Sequence, residues 1–290
     1  MSMTDARLAI PLSLLGCLCA APAAADTPFF STGDPDGKMA TASRPDAGGK
    51  FEIESADDFI LTESTSITGA SFTGLLPTGA PLTDIGEVVV EIYRVFPKDS
   101  TVPPSGNVPT RVNSPSDRAF ASRDSASGEL SLAVDVVSAS FTADNSVQPG
   151  GIHPLPNVLT GGDGFVSGEE VTFSVSFAAP IILPADHYFF VPQVELTTGD
   201  FLWLSAPKPI VAPGTPFSPD LQSWTRDQFL DPDWLRVGTD IVGAGAFNAV
   251  FSLSGSPVPE SSTWAMMLIG FAGLGYASWR HARQGRPASA

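Results

Sequence analysis

The stretch EEVTFSVSFAAPIIL, residues 169 to 183, alternates strictly over its first half: Val171, Phe173, Val175 and Phe177 share one face, and Thr172, Ser174 and Ser176 share the other. A period of two with β-branched and aromatic residues on one side is the pattern of a half-buried strand. Similar runs recur between turn clusters along the chain. They are KFEIES, DDFILT, SITGASFTGLL, EVVVEIYRVF, ELSLAVDVVSASFT, HYFFVPQVEL, DFLWLSA, DWLRVGTDI and AFNAVFSLSG. No comparably long stretch between residues 26 and 256 carries a helical period. Ten or so short strands joined by irregular loops predict an all-β domain, an antiparallel β-sandwich of jelly-roll type. Residues Pro97 to Gly128, rich in Pro, Ser, Asn and Arg, read as a long surface loop. A second Pro-rich stretch, SAPKPIVAPGTPFSPD, separates the Trp203 strand from the last two.

The chain has 290 residues, 43% of them hydrophobic and 16% charged, with 27 Gly, 27 Pro and a formal charge of −16. That composition is globular and rich in turns. Setting aside residues 1–25 removes one Arg and one Asp, and setting aside 264–290 removes three Arg, which leaves 11 basic and 30 acidic residues. A remainder near −19 excludes nucleic acid as a partner, because a binder must neutralise phosphates with Lys and Arg. Residues 26–256 are long enough to bury a good core and fit one large β domain, with two small ones as the alternative. The only two cysteines, Cys17 and Cys19, lie near the start. The domain therefore has no disulfide, thiol nucleophile or thiolate metal site, and its stability must come from packing.

At the start, Arg7 precedes an apolar run from Leu8 to Ala20, followed by Ala23, Ala24, Ala25 and Asp26. These are the three regions of a signal peptide occupying residues 1–25, with cleavage expected between Ala25 and Asp26. Leu14-Leu15-Gly16-Cys17 offers an alternative, a lipobox with Cys17 as the lipidated residue.

At the other end, Trp264 to Trp279 forms 16 residues without a formal charge. As a helix it would reach roughly 24 Å against a hydrocarbon core of ~30 Å. It is expected to cross the membrane, with Trp264, Tyr276 and Trp279 at the interfaces and Leu268 and Phe271 within. Arg280, Arg283 and Arg286 make a basic foot that would stay cytoplasmic. Gly270, Gly273 and Gly275 leave part of the surface bare for the close approach of another membrane helix. Val258-Pro259-Glu260, a short gap, this apolar helix and the trailing basic residues together resemble a PEP-CTERM sorting signal, over residues 257–290. The resemblance implies export, recognition by an exosortase (a membrane-embedded cysteine transpeptidase), processing at or near Pro259-Glu260, and delivery to the cell surface or extracellular matrix. Ser261 stands where that family usually has Pro, and the basic residues are spread out. The same tail is catalogued as an ice-binding protein C-terminal domain, but residues 26–256 repeat at no fixed period, as an ice-binding array would. The opening STGDPDGKMATASRP and the strand ESADDFIL resemble the secreted domains that commonly precede such tails, a group that implies a fold and no chemistry.

The domain itself offers four chemical candidates. Asp34, Asp36, Asp57 and Asp58 are oxygen ligands at spacings a structural Ca²⁺ could use, although Asp34-Pro35-Asp36-Gly37 is equally a turn sequence. Trp203, Trp224 and Trp234 would form a carbohydrate-stacking platform for extracellular polysaccharide if exposed on one face, and core if buried. Asp186-His187 suggests acid–base work, but there is no G-x-S-x-G elbow to present a nucleophile, and His153 and His187 are too few for a His-rich metal site. Glu169-Glu170 would have to flank a glycosidic bond, a separation that sequence does not supply. The sequence reads as a non-enzyme without a cofactor, acting through structure or interaction, with carbohydrate binding or hydrolysis as the alternative.

Overall fold

The computed structural model describes residues 28–153, 158–207, 221–258 and 261–284. The leader with Ala25 and Asp26 lies outside them, as do Pro259, Glu260 and Arg286 and the side chains of Trp264 and Arg283. In chain order the strands are β1 (Pro28–Ser31), β2 (Met39–Ala42), β3 (Ile53–Leu61), β4 (Thr65–Leu76), β5 (Ile85–Val95), β6 (Pro115–Asp124), β7 (Leu130–Ala143) and β8 (Asn145–Val147). Then come β9 (Val166–Leu183), β10 (Asp186–Leu196), β11 (Leu202–Ala206), β12 (Trp224–Asp227), β13 (Leu235–Arg236), β14 (Asn248–Ala249) and β15 (Phe251–Pro257). One long helix, α1 (Ser261–Gln284), follows.

The strands form two sheets. The first contains β1, β2, β4, β7, β8, β9, β11, β14 and β15; the second runs β13-β12-β3-β10-β5-β6. All pairs are antiparallel except β2 with β8, a local departure from the purely antiparallel expectation. The chain crosses between sheets repeatedly: β3 leaves the first for the second, β4 returns, β5 and β6 leave again, and so on to β15.

The alternation that opened the sequence analysis explains the core. On β9, Val171, Phe173, Val175 and Phe177 are buried while Ser174 and Ser176 are exposed. Opposite them, β3 contributes Phe59 and Leu61, β5 contributes Val88, Val90 and Ile92, and β10 contributes Tyr188, Phe190 and Val194. Phe72 and Phe173 stack at 5.0 Å and 6° on the first sheet, and Phe190 of the second stacks on Phe251 of the first at 5.0 Å and 7°. The second sheet is covered on its other face as well. There Ala56, Tyr93, Phe189 and Val191 pack under Leu221, Trp224 and Trp234, from the segment around β12 and β13.

Two expectations are corrected. Pro97 to Gly128 is not all loop, because β6 pairs with β5 from Val89↔Asp124 to Val95↔Pro115. Its sequence, PSDRAFASRD, hides the strand because it is an edge whose side chains are half-exposed or exposed beyond Ser116. The apolar tail is a helix, but among the described residues no helix is long and apolar enough to cross a membrane. Although α1 has 24 residues, Gly270, Gly273, Gly275, Tyr276 and Ser278 dilute its hydrophobicity, so it holds no sufficiently apolar stretch.

Gly74 on β4 marks how closely the packing is fitted. A Cβ there would run into the buried Phe201 ring and come within 2.6 Å of the Leu202 carbonyl oxygen. Gly74→Ala is expected to destabilise the protein by about 1–3 kcal/mol, the usual cost of overpacking. Gly150→Ala, where a Cβ meets nothing within 4 Å, should stay within about 0.5 kcal/mol of wild type in the same urea titration.

Candidate functional site

Strand alternation gives the second sheet an outward face turned away from the core between the sheets. On β3 that face carries Glu54, Ala56 and Asp58; on β5 it carries Glu91 and Tyr93; on β10, Gln193; and on β12, Trp224 and Arg226. Glu52, just before β3, joins them. Carboxylate oxygens of Glu52, Glu54 and Glu91 lie within 4.8 Å of one another, forming the one such cluster among the described residues.

One cation serves this cluster directly. The Arg226 guanidinium is buried, pairs with Glu54 through Nε, reaches Asp231 at 2.7 Å through Nη1, and lies 4.4 Å above the Trp234 ring. The Tyr93 hydroxyl donates to Glu54 at 2.5 Å and lies 3.2 Å from a Glu91 oxygen, while Gln193 donates to Glu52 at 3.0 Å. Burial, then the charges of Glu54 and Glu52, push the Glu91 carboxyl up to about 8. Burial and the neighbouring Glu54 also raise Glu52, and burial with the Glu54 and Glu91 charges raises the Tyr93 phenol. The group therefore holds a proton at neutral pH: Glu91 is a carboxylic acid beside the arginine-paired Glu54. Three oxygens could ligate a divalent ion, but Arg226 already supplies the counter-charge and Tyr93 and Gln193 occupy lone pairs. The arrangement suits a shared proton better than a metal.

The residues singled out in the sequence separate. Asp57 and Asp58 point to opposite faces of β3: Asp57 Oδ2 accepts from the Ala249 N–H at 2.7 Å, while Asp58 Oδ1 accepts from the Leu221 N–H at 3.0 Å. Asp36 accepts from the Ser205 hydroxyl at 2.5 Å and from the Lys38 N–H at 3.1 Å, with Gly37 at φ +72°, so Asp34-Pro35-Asp36-Gly37 is a turn. Asp36, Asp57 and Asp58 thus serve different partners, and the convergent carboxylate group among the described residues is Glu52, Glu54 and Glu91 instead. Trp203, Trp224 and Trp234 are 2%, 1% and 0% exposed, and their indole N–H groups donate to Val250, Leu221 and Ser116 carbonyls. No sugar can stack on them. Glu169 and Glu170 are neighbours on β9 and so face opposite ways. Asp186 is tied to Arg94 at 2.9 Å and Lys98 at 2.5 Å; burial opposes its charge, but these hydrogen bonds hold it below the usual range. His187 turns from it to Asp58, 2.5 Å from Nε2.

The Glu52, Glu54, Glu91 and Arg226 group was invisible in the sequence. Its members come from three strands and a loop, and the only local signal is the i, i+2 spacing of Glu52 and Glu54 on one face. A cleft of about 320 Å³ lies elsewhere, lined by Leu75, Leu76, Gln148, Val166, Asp200 and Leu202 among others. Its carboxylate, Asp200, is already engaged by Arg44 and Lys50.

Because the folded protein holds the Glu91 proton more tightly than the unfolded chain, this contribution to stability is fully present below about pH 4.5 and is lost as pH rises through about 8. Glu91→Gln keeps a neutral side chain at every pH. Its melting temperature is expected to fall less than that of wild type between about pH 5 and pH 9, and equal slopes would remove Glu91 from the account. Arg226→Met leaves Glu54 buried without its cation and is expected to cost about 3–5 kcal/mol by urea denaturation at neutral pH. No family model matches the chain, and no curated protein or solved structure does.

Proposed function

We propose that this is an exported, cell-surface or matrix-associated protein with a structural or interaction role, delivered through its C-terminal tail. One observation carries the reading. Along α1, Met266, Leu268, Ile269, Phe271 and Leu274 are each 66–70% exposed, an apolar surface that a water-soluble body has no reason to display unless another medium receives it. The domain ends just before this helix, where the Val258 N–H donates to the Ser64 carbonyl at 2.7 Å. Pro259 and Glu260 follow at once, so a cut there would leave the sheets whole.

Since α1 is not apolar enough to cross a membrane alone, a membrane-embedded exosortase would receive it, with Gly270 and Gly273 letting the two backbones approach. The body suits the same reading: it is built of two largely antiparallel sheets, as a jelly-roll sandwich would be, and its buried carboxylates Glu54, Asp57, Asp58 and Asp233 are held by arginine, tyrosine or backbone partners. With all three tryptophans buried, carbohydrate binding loses the platform that suggested it.

The test is fractionation of the full chain and two variants in cells with and without the exosortase. Wild type is expected to change mass and reach the outer surface only with the enzyme. Leu268→Arg places a charge that costs about 2.5–3.5 kcal/mol in mid-membrane, and is expected to be exported but unprocessed. Glu260→Ala should keep membrane association and lose cleavage. A cytoplasmic full-length product, or a wild-type mass indifferent to the enzyme, would overturn the proposal.

A further inference from the structure

The first sheet ends in an unprotected edge. β7 pairs with β9 on one side, from Leu130↔Phe177 to Ala143↔Val166, and among the described residues no strand pairs with its other side. Exposed edges are normally blunted by lysine, proline, charge or bulges, because their free N–H and C=O groups recruit another strand. β7 reads LSLAVDVVSASFTA, with no Lys, Arg or Pro and one charge, Asp135. Its pairing irregularities begin only after Val136. Leu130 to Val136 is therefore a regular, nearly neutral edge of seven residues. Its apolar side is incompletely covered: Leu130 is buried, but Leu132 and Val136 are 37% and 46% exposed.

The sequence of this edge is complementary to itself. In an antiparallel pairing centred on Ala133, Leu130 meets Val136 and Leu132 meets Val134 on one face, while Ser131 meets Asp135 on the other. The two aspartates avoid each other, and every apolar side chain finds an apolar partner. A two-fold axis through Ala133 satisfies the requirement that the same patch serve both subunits. Elsewhere the strongly acidic surface repels a second copy, so this neutral strip is where two bodies can approach at least electrostatic cost.

We propose that a second copy of this chain adds to β7, strand to strand and antiparallel about Ala133, joining two nine-stranded sheets into one continuous sheet. A seven-residue pairing makes a small interface, so the dimer is reversible and concentration-dependent. Because like-charged bodies are brought together, added salt strengthens it.

The experiment uses the full chain in detergent, with Cys17→Ser and Cys19→Ser as the background so that introduced cysteines are the only thiols. Across an antiparallel pair, facing Cα atoms lie about 4.5–5.5 Å apart, within disulfide range. Ala133→Cys is therefore expected to give a disulfide-linked dimer on mild oxidation. Ser131→Cys, displaced from its symmetry mate by about 13 Å, should stay monomeric on the same gel. Sedimentation should show a dimer fraction that rises with protein concentration and salt, and that Ala133→Lys reduces at least tenfold while the circular dichroism spectrum is unchanged. Equal cross-linking at both positions, no dimer in the background protein, or a dimer that survives Ala133→Lys and so belongs to the tail helix, would each overturn the proposal.

Discussion

The Phe190 ring, from one sheet, lies flat against the Phe251 ring of the other, with centroids 5.0 Å apart, and this contact organises the interior. Phe30 and Phe59 pack around Phe251, Trp203 meets both stacked rings edge-on, and Phe72, Phe173 and Phe201 continue the cluster along the first sheet. Each large ring buries 150–250 Å² or thereabouts and has few rotamers, so an aromatic core combines a large hydrophobic contribution with a defined geometry. A domain without cysteine has no covalent staple. Its two layers are held in one relative position by ring against ring, and the close approach at Gly74 follows, since the Phe201 ring occupies the space a side chain would take.

The outward face of the second sheet follows a different logic. It is covered by the Trp224–Trp234 segment, yet the cover is fastened by charge as well as by apolar contact. Arg226 pairs with Glu54, and Arg111 pairs with Asp233 at 3.1 Å, all four of them buried. Burying such pairs recovers little net energy, because each ion must lose its water first. What they supply is selectivity. Arg226 must meet Glu54 while lying over Trp234, and Arg111 must meet Asp233 while stacked 4.7 Å from Phe96, so a slipped cover would strand a charge. The proton on Glu91 belongs to the same arrangement. The proton removes one negative charge from a cluster of three carboxylates that the single buried arginine serves.

The fold was legible wherever one face of a strand was buried and the other wet. The serines and threonines of β9 reported the outer face, and its valines and phenylalanines the inner one. Legibility failed in two opposite situations. At the edge strand β6, too few residues are buried for any alternation to show, and its charged, Pro-flanked sequence looks like a loop. On β3, both faces are covered, so ESADDFIL carries buried aspartates on each side and reads as a ligand set when Asp57 and Asp58 are in fact holding backbone N–H groups of different layers. The tryptophans were readable only as core or platform, and burial decides for core. The glutamate cluster could not be read at all, because Glu91 reaches Glu54 only through the β3-β10-β5 order of the sheet.

The two sheets differ in how they meet solvent, and that difference locates where the molecule can act. The second sheet has its outer face capped by tryptophans and by the Arg226–Glu54 and Arg111–Asp233 ion pairs. The first presents serines and threonines from β9 and ends in β7, whose backbone groups are unpaired on one side. The contacts proposed above with another macromolecule use the first sheet and α1. The two are separate in kind. The helix offers apolar side chains without backbone groups to share, which suits a lipid or protein-helix environment, whereas β7 offers main-chain hydrogen bonds in a neutral strip, which suits another strand in water. Removal of the tail, as proposed, would take away the first surface and leave the second intact.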